Sequence, residues 1–193
     1  MYLEYLEALP EDDCHKQNIS ATAIAEALSL NDVQVRKDLA TVSSGGRPKV
    51  GYVTDELITD IKRFLGYYNN DGVIIAGAGN FGRGLLSFEG FEKYGLKVLA
   101  GFDRNSEIIG TEIHGLTIYP VDRMKEFCAE KNVHIGIITV PEHEAQEVCD
   151  IMVKSGITAI LNFACVQLNA PENVSVQNQN IAFSLAMLSR DFL

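Results

Sequence analysis

Three glycines, Gly77, Gly79 and Gly82, stand in G-x-G-x-x-G spacing directly after the apolar run Val73-Ile74-Ile75-Ala76. A helical pattern through Leu85, Leu86 and Phe88 follows at once. A strand leading into such a loop and then a helix has a definite chemistry. The first glycine allows the tight turn, the second lets a pyrophosphate approach the backbone, and the third lets helix and strand pack closely. The N–H groups at the helix start then face the phosphates. The segment Gly77-Ala78-Gly79-Asn80-Phe81-Gly82-Arg83 is therefore a candidate dinucleotide cradle. A second apolar run, Lys97-Val98-Leu99-Ala100-Gly101-Phe102, ends at Asp103, about 20 positions after Gly82, where an adenosine ribose is bound in this arrangement. A carboxylate there accepts both ribose hydroxyls and repels a 2′-phosphate, which favours NAD(H) over NADP(H). Arg104 beside it softens that repulsion. The alternative is that Asp103 merely caps the loop after its strand.

A second group of residues suits another polyanion. The chain carries a net charge of −10, which argues against indiscriminate binding to nucleic acid. Yet Arg36, Lys37, Arg47 and Lys49 lie close together with only Asp38 among acids between them. Ser20 is placed to cap a helix carrying Ile24, Ala25 and Leu28. Asn31 or Asp32 is placed to cap the next, with Val35, Leu39 and Val42 inward and Gln34, Arg36 and Lys37 outward. That is helix–turn–helix spacing, with an outer face suited to base edges and phosphates. The segment Ser43 to Val53 reads as a β-hairpin wing with Arg47 and Lys49 at its tip, meeting phosphates or a narrow minor groove. A closing helix from Asp55 to Leu65 would turn Leu57, Ile61, Phe64 and Leu65 inward.

The elements that must position these groups fall into two domains. Residues 1–66 are expected to form the winged-helix DNA-binding domain and 67–72 a polar linker. Residues 73–179 are expected to form a Rossmann domain, and 180–193 a C-terminal dimerisation helix. Strands are expected near 73–76, 97–102, 116–119, 133–139, 157–162 and 174–177, and helices near 80–94, 121–131, 142–155 and 180–192. Such alternation gives an α/β fold with a doubly wound parallel sheet. In the last helix Ile181, Leu185 and Leu188 recur on one face while Phe183, Met187 and Phe192 extend the apolar surface around it. A second copy of the chain is the expected cover, and two-fold pairing suits two DNA half-sites. The competing expectation is packing on its own sheet.

The remaining composition narrows the class. At 193 residues and 47% hydrophobic, the chain suffices for one sizeable core or two small ones. No apolar run is long enough to span a membrane, and the acidic N-terminus does not read as a signal peptide. Cys14, Cys128, Cys149 and Cys165 show no metal-ligand clustering with the histidines, so no metal is expected. They read as reduced thiols of a cytoplasmic protein; Cys128, Cys149 and Cys165 read as packed, with a direct thiol sensor at Cys165 as the competing reading.

Taken together, Gln34-Val35-Arg36-Lys37-Asp38-Leu39, Gly51-Tyr52, the glycine loop and Phe102-Asp103 resemble the Rex-type redox-sensing transcriptional repressors. So do Ile138-Thr139-Val140-Pro141, Ala145-Gln146, Gly156-Ile157 and Ile160-Leu161-Asn162-Phe163-Ala164, all in the family's order. The resemblance implies homodimers with an N-terminal winged helix and a Rossmann domain whose last helix is exchanged between subunits. It implies that NADH releases operator DNA while NAD⁺ competes and permits binding. Arg36 and Lys37 would contact DNA, Gly77 to Arg83 would hold the pyrophosphate, Asp103 the ribose, and Thr139-Val140-Pro141 would lie on the nicotinamide side. The chain departs from the family pattern at Cys165, where a proline is usual, and at Asn180, where an acid usually opens the last helix.

Two rivals remain from the residues alone. A small NAD-dependent oxidoreductase needs an acid or base beside the nicotinamide. No Tyr-x-x-x-Lys pair is present, His114 and His134 read as structural, and only His143, just after Pro141, is a candidate, so an enzyme is not expected. The other rival is a repressor of the same fold that senses coenzyme A or another nucleotide.

Overall fold

A computed structural model describes residues 1–10 and 18–190, and the chain forms two compact units, Met1–Asn69 and Asn70–Leu193. Cys14 lies outside the described residues, as does Phe192.

The first unit contains α1 (Tyr2–Glu7), β1 (Asn18–Ile19), α2 (Ala21–Ala27), α3 (Asp32–Val42), β2 (Tyr52–Val53) and α4 (Thr54–Phe64). Its core joins Leu3 and Leu6 to Ile24, Ala25, Val35, Leu39, Leu57 and Ile61. Both helices of the helix–turn–helix start on side-chain caps. Ser20 Oγ accepts from the Ala23 N–H at 3.0 Å. Asn31 Oδ1, rather than Asp32, accepts from Val33 and Gln34 N–H at 3.0 and 3.2 Å. Each cap satisfies donors that have no partner within the helix.

Two expectations for this unit are corrected. The wing is not a paired hairpin. Arg47 and Gly51 close a tight turn by two reciprocal backbone bonds of 2.9 Å, and β2 pairs antiparallel with β1, Ile19 opposite Tyr52. Pro48 has no N–H to give a ladder, and Gly51 holds a φ of +89° with its Cα against the Ile19 carbonyl, where a Cβ would lie 2.3 Å away. Phe64 and Leu65 do not turn inward; they are 60% and 54% exposed. The buried stripe of α4 is Thr54, Leu57 and Ile61, and Leu65 lies just past the helix end.

The second unit is a seven-stranded sheet in the order β5-β6-β4-β3-β7-β8-β9. Its strands are β3 (Asp71–Ala76), β4 (Leu96–Asp103), β5 (Glu112–Ile113), β6 (Leu116–Pro120), β7 (Ile135–Ile138), β8 (Ala159–Asn162) and β9 (Ser175–Asn178). All neighbours are parallel except β5 with β6. The helices are α5 (Asn80–Leu86), α6 (Met124–Lys131), α7 (Glu142–Lys154) and α8 (Ile181–Arg190), with 3₁₀ turns at Glu89–Tyr94 and Val121–Arg123. Ile74 and Ala76 enter one buried cluster and Val73 and Ile75 another, which is why β3 is apolar throughout.

Three boundaries differ from the sequence expectation. Asp71 and Gly72 belong to the sheet rather than to a linker, because Asp71 N–H bonds the Gly95 carbonyl at 2.9 Å. The helix expected over 80–94 stops at Leu86, and the Phe88 ring lies on Gly90 beyond it. The short strand β5 lacks a readable period. Helix α8 does not pack on its own sheet: Ile181, Phe183, Leu185 and Leu188 are each more than half exposed. Asn180 Oδ1 caps it through the Phe183 N–H at 2.8 Å.

Candidate nucleotide pocket and basic concavity

Strand order reverses around β3, with β4 on one side and β7 on the other. The crevice beyond their carboxyl ends is where open α/β sheets bind ligands. Gly77 leaves β3 at a φ of +100°, and a Cβ there would lie 2.9 Å from the Thr139 carbonyl carbon and Oγ1. A Cβ on Gly82 would fall 1.8 Å from the Gly77 carbonyl oxygen. These two glycines are demanded by packing. Gly79 differs: a Cβ there meets nothing within 4 Å, so the loop presents bare backbone to open space at the start of α5.

Long-range bonds hold the loop in this shape. Asp103 Oδ2 accepts from the Ala78 N–H at 2.6 Å, and its Oδ1 from the Asn105 N–H at 2.8 Å. Thr139 Oγ1 lies 2.7 Å from the Gly77 carbonyl and 3.0 Å from that of Ala76. Arg83 Nε donates to the Ala78 carbonyl at 3.0 Å. The loop is thus fastened from three sides before any ligand arrives. A carboxylate has about four acceptor positions, so Asp103 can hold the loop and still receive two hydroxyls.

The resulting pocket encloses about 180 Å³ and brings together Gly77, Gly79, Asp103, Arg104, Thr139, Val140 and Pro141, as the sequence suggested. Ala78, Asn80, Phe81, Gly82 and Arg83 do not line it. Ala78 is buried with its N–H already given to Asp103, Gly82 sits against the turn, and Phe81 packs edge-on to Phe163 at 4.9 Å. Sequence reasoning missed Phe102, Val121, Glu144 and Val148, which complete the wall. It also missed Asn162, fully buried, whose amide spans Ala164, Val166 and Asn178 and shapes the loop behind Phe163. Its bonds to Ala164 and Val166 are local, and only Asn178 lies farther along the chain. The bare backbone at Gly79, the positioned carboxylate and the apolar wall of Phe102, Val121, Val140 and Val148 fit a dinucleotide.

The other candidate groups fall out of the pocket. His143 is 79% exposed beside Glu144 and does not line it. His134 lies 3.2 Å from both the Gly156 carbonyl and Asn132 Oδ1, and His114 occupies the β5–β6 turn. Cys128 and Cys149 are buried, and burial pushes the Cys128 thiol up to about 11. Cys165 is exposed rather than packed, a correction: the chain turns out of the sheet immediately after Asn162. Among the described residues no cluster of His, Cys, Asp or Glu is placed to hold a metal, and no helix is long and apolar enough to cross a membrane.

On the first unit, Arg36, Arg47 and Lys49 surround one concavity of about 480 Å³ with Ser20, Thr22 and Tyr52. Arg36 is held by Asp32 at 3.0 Å and by the Thr22 hydroxyl at 3.2 Å. Gln34 and Lys37 stand outside that concavity, on the exposed face of α3. Gln34 Nε2 donates to Asp38 Oδ1 at 2.7 Å, and Tyr2 OH donates to Asp38 Oδ2 at 2.7 Å, which pushes the Tyr2 phenol up to about 12. Lys37 has no side-chain partner among the described residues.

A helix–turn–helix with a basic outer face, joined in one chain to a Rossmann unit whose switch-point crevice is lined by Gly77, Gly79 and Asp103, is the architecture of a ligand-responsive DNA-binding protein. Residues 69–166 match the family described as "CoA binding domain", and residues 1–40 match "Putative DNA-binding protein N-terminus". The redox-sensing transcriptional repressor Rex of Porphyromonas gingivalis is 38% identical over 187 residues, covering 97% of this chain and 85% of its own. The crystal structure of RSP, a Rex-family repressor, in complex with β-NAD⁺ and operator DNA superposes with a TM-score of 0.89 at 31% identity. It covers 99% of this chain and 87% of that one. The complex of RSP with β-NADH gives a TM-score of 0.83 at the same identity, with 99% and 88% covered. The chain belongs to the Rex family of redox-sensing transcriptional repressors.

Proposed function

We propose that this chain is a redox-sensing repressor that binds operator DNA as a homodimer and lets it go when NADH is bound, with NAD⁺ competing for the same pocket and permitting DNA binding. The observation that carries this reading is the coexistence of the fastened glycine loop with Asp103 in one unit and the basic concavity in the other. RSP, its relative, has been crystallised with NAD⁺ and operator and separately with NADH.

In this reading the 77–83 loop holds the pyrophosphate through bare backbone at Gly79. Asp103 takes the adenosine ribose, and Thr139, Val140 and Pro141 border the nicotinamide. The oxidised ring carries a positive charge that the reduced ring lacks, so an apolar wall favours the reduced form. Binding alters operator affinity only to the extent that it differs between two arrangements of the dimer, typically by about 1–3 kcal/mol per site. Arg36 and Lys37 contact the major groove, Gln34 reads beside them, and Arg47 and Lys49 bind phosphates. The relatives this chain belongs with are transcriptional repressors, which supports a regulatory role, exercised in the cytoplasm where operator DNA lies. The last helix pairs two chains, since its apolar residues have no cover in their own unit.

Operator-binding titrations with NADH, NAD⁺ and NADPH separately test the reading. NADH is expected to lower operator affinity, and NAD⁺ to leave it intact. Operator binding that ignores saturating NADH overturns it. Deleting residues after Gln179 is expected to give a monomer that no longer binds operator. A truncated chain that stays dimeric overturns the role of the helix.

A further inference from the structure

Arg104 follows Asp103 at the end of β4 and lines the same pocket, but its guanidinium is already engaged. Nη1 donates to Glu147 Oε2 at 2.9 Å, and Nη2 bonds Glu147 Oε1, a two-pronged pair between β4 and the middle of α7. Hydrogen bonding to Glu147 raises the affinity of Arg104 for its proton, and the same bonds hold the Glu147 carboxyl below the usual carboxylate range. Both partners are substantially exposed, so the pair contributes little to stability. Its effect is to orient Arg104 and to fill its donor fork.

The charge around this end of the pocket gives that orientation a consequence. Asp103 and Glu144 line the pocket and Glu147 stands beside them, against Arg104, the one cation among the described lining residues. A ribose carrying a 2′-phosphate would bring further negative charge to Asp103. Dinucleotide sites that accept that phosphate use a nearby arginine. Here the arginine is present and is withheld.

We propose that Glu147 is a specificity-determining positioning residue: by holding Arg104 in a two-pronged pair it denies a 2′-phosphate the cation beside it, so that Asp103 and Glu147 together, not Asp103 alone, select NAD(H) over NADP(H). The proposal rests on the reading of this pocket as the dinucleotide site. To reach a phosphate, Arg104 must leave Glu147, and a bare carboxylate then stands beside the phosphate. Discrimination thus includes both a lost attraction and an added repulsion.

Calorimetric titration of the full-length chain with NADH and with NADPH, for wild type, Glu147→Gln and Glu147→Gln/Arg104→Ala, tests this. Glu147→Gln is expected to narrow the NADH:NADPH affinity ratio about tenfold, the scale of one charge-assisted hydrogen bond from Arg104 to the phosphate. The double variant is expected to widen the ratio again to at least the wild-type value. Glu147 is 63% exposed on its helix, so the substitution leaves the fold intact. An unchanged ratio in Glu147→Gln with NADH binding preserved overturns the proposal alone. A narrowed ratio that survives removal of Arg104 overturns it too. Failure of the wild-type chain to bind NADH overturns the pocket reading and the proposal with it.

Discussion

In the function proposed above, the nucleotide meets main chain at the glycine loop, while DNA meets the far ends of long side chains on the helix–turn–helix. The loop is fixed by Asp103, Thr139 and Arg83, all bonding backbone atoms of Ala76, Gly77 or Ala78. Its shape exists before a ligand arrives, and little conformational entropy remains to be lost there. Around the basic concavity, Arg36 is braced by Asp32 and Thr22, whereas Lys37 extends without a partner among the described residues. Contacts made there benefit from charge neutralisation but must order mobile chains. On that reading, recognition of the nucleotide is expected to be sensitive to a single methyl group, and recognition of DNA to salt.

Substitutions graded by expected effect can break or sharpen that contrast. The largest belongs to Gly82→Val, whose Cβ would sit 1.8 Å from a backbone oxygen. It is expected to destabilise the second unit by on the order of 4 kcal/mol or prevent its folding, read by thermal melting. Gly79→Val should leave melting unchanged, because Gly79 holds an extended backbone and its Cβ direction is open, yet weaken NADH by about 100-fold in calorimetry, or about 2.7 kcal/mol. Equal behaviour of the two variants would mean that the loop is not a preformed cradle. Lys37→Ala is expected to cost about 1–3 kcal/mol of operator affinity if it reads a base edge, measured on operator and scrambled duplexes. Loss of equal size on both duplexes would reassign it to the phosphates. Smallest is Arg47→Ala, expected to reduce the slope of log affinity against log salt by about one while sparing sequence preference. No change in slope would remove the 47–51 turn from the DNA surface.

The same contrast runs through what could be read before the fold was known. The glycine fingerprint was legible because each glycine answers a local backbone demand, and its strand, helix and acid are near in sequence. The caps at Ser20 and Asn31 were legible for the same reason, two or three residues from the N–H groups they satisfy. The wing departs from the local pattern because its strand partner is Asn18–Ile19, on the far side of the helix–turn–helix, rather than its own preceding arm. Phe64 and Leu65 continue the apolar period of Leu57 and Ile61, yet the core of this unit ends at Ile61 and leaves them exposed. Cys165 followed a buried strand and so looked packed, but the Asn162 amide turns the chain outward there.

The sequence by itself determined the elements and the chemistry available to them: the loop suited to a pyrophosphate, the acid that follows it, the basic outer face of α3, and a last helix apolar around much of its circumference. Those properties depend on backbone permission and on periodicities of two and 3.6 residues, which act over a few positions. Only the tertiary structure decided which of those groups meet. The Thr139 hydroxyl closes on the glycine turn, Arg83 bends back to Ala78, and Glu147 claims Arg104 from another element. The first and last of these depend on strand order and helix placement, because a parallel sheet brings together residues that the chain keeps far apart, while the Arg83 contact spans only five residues.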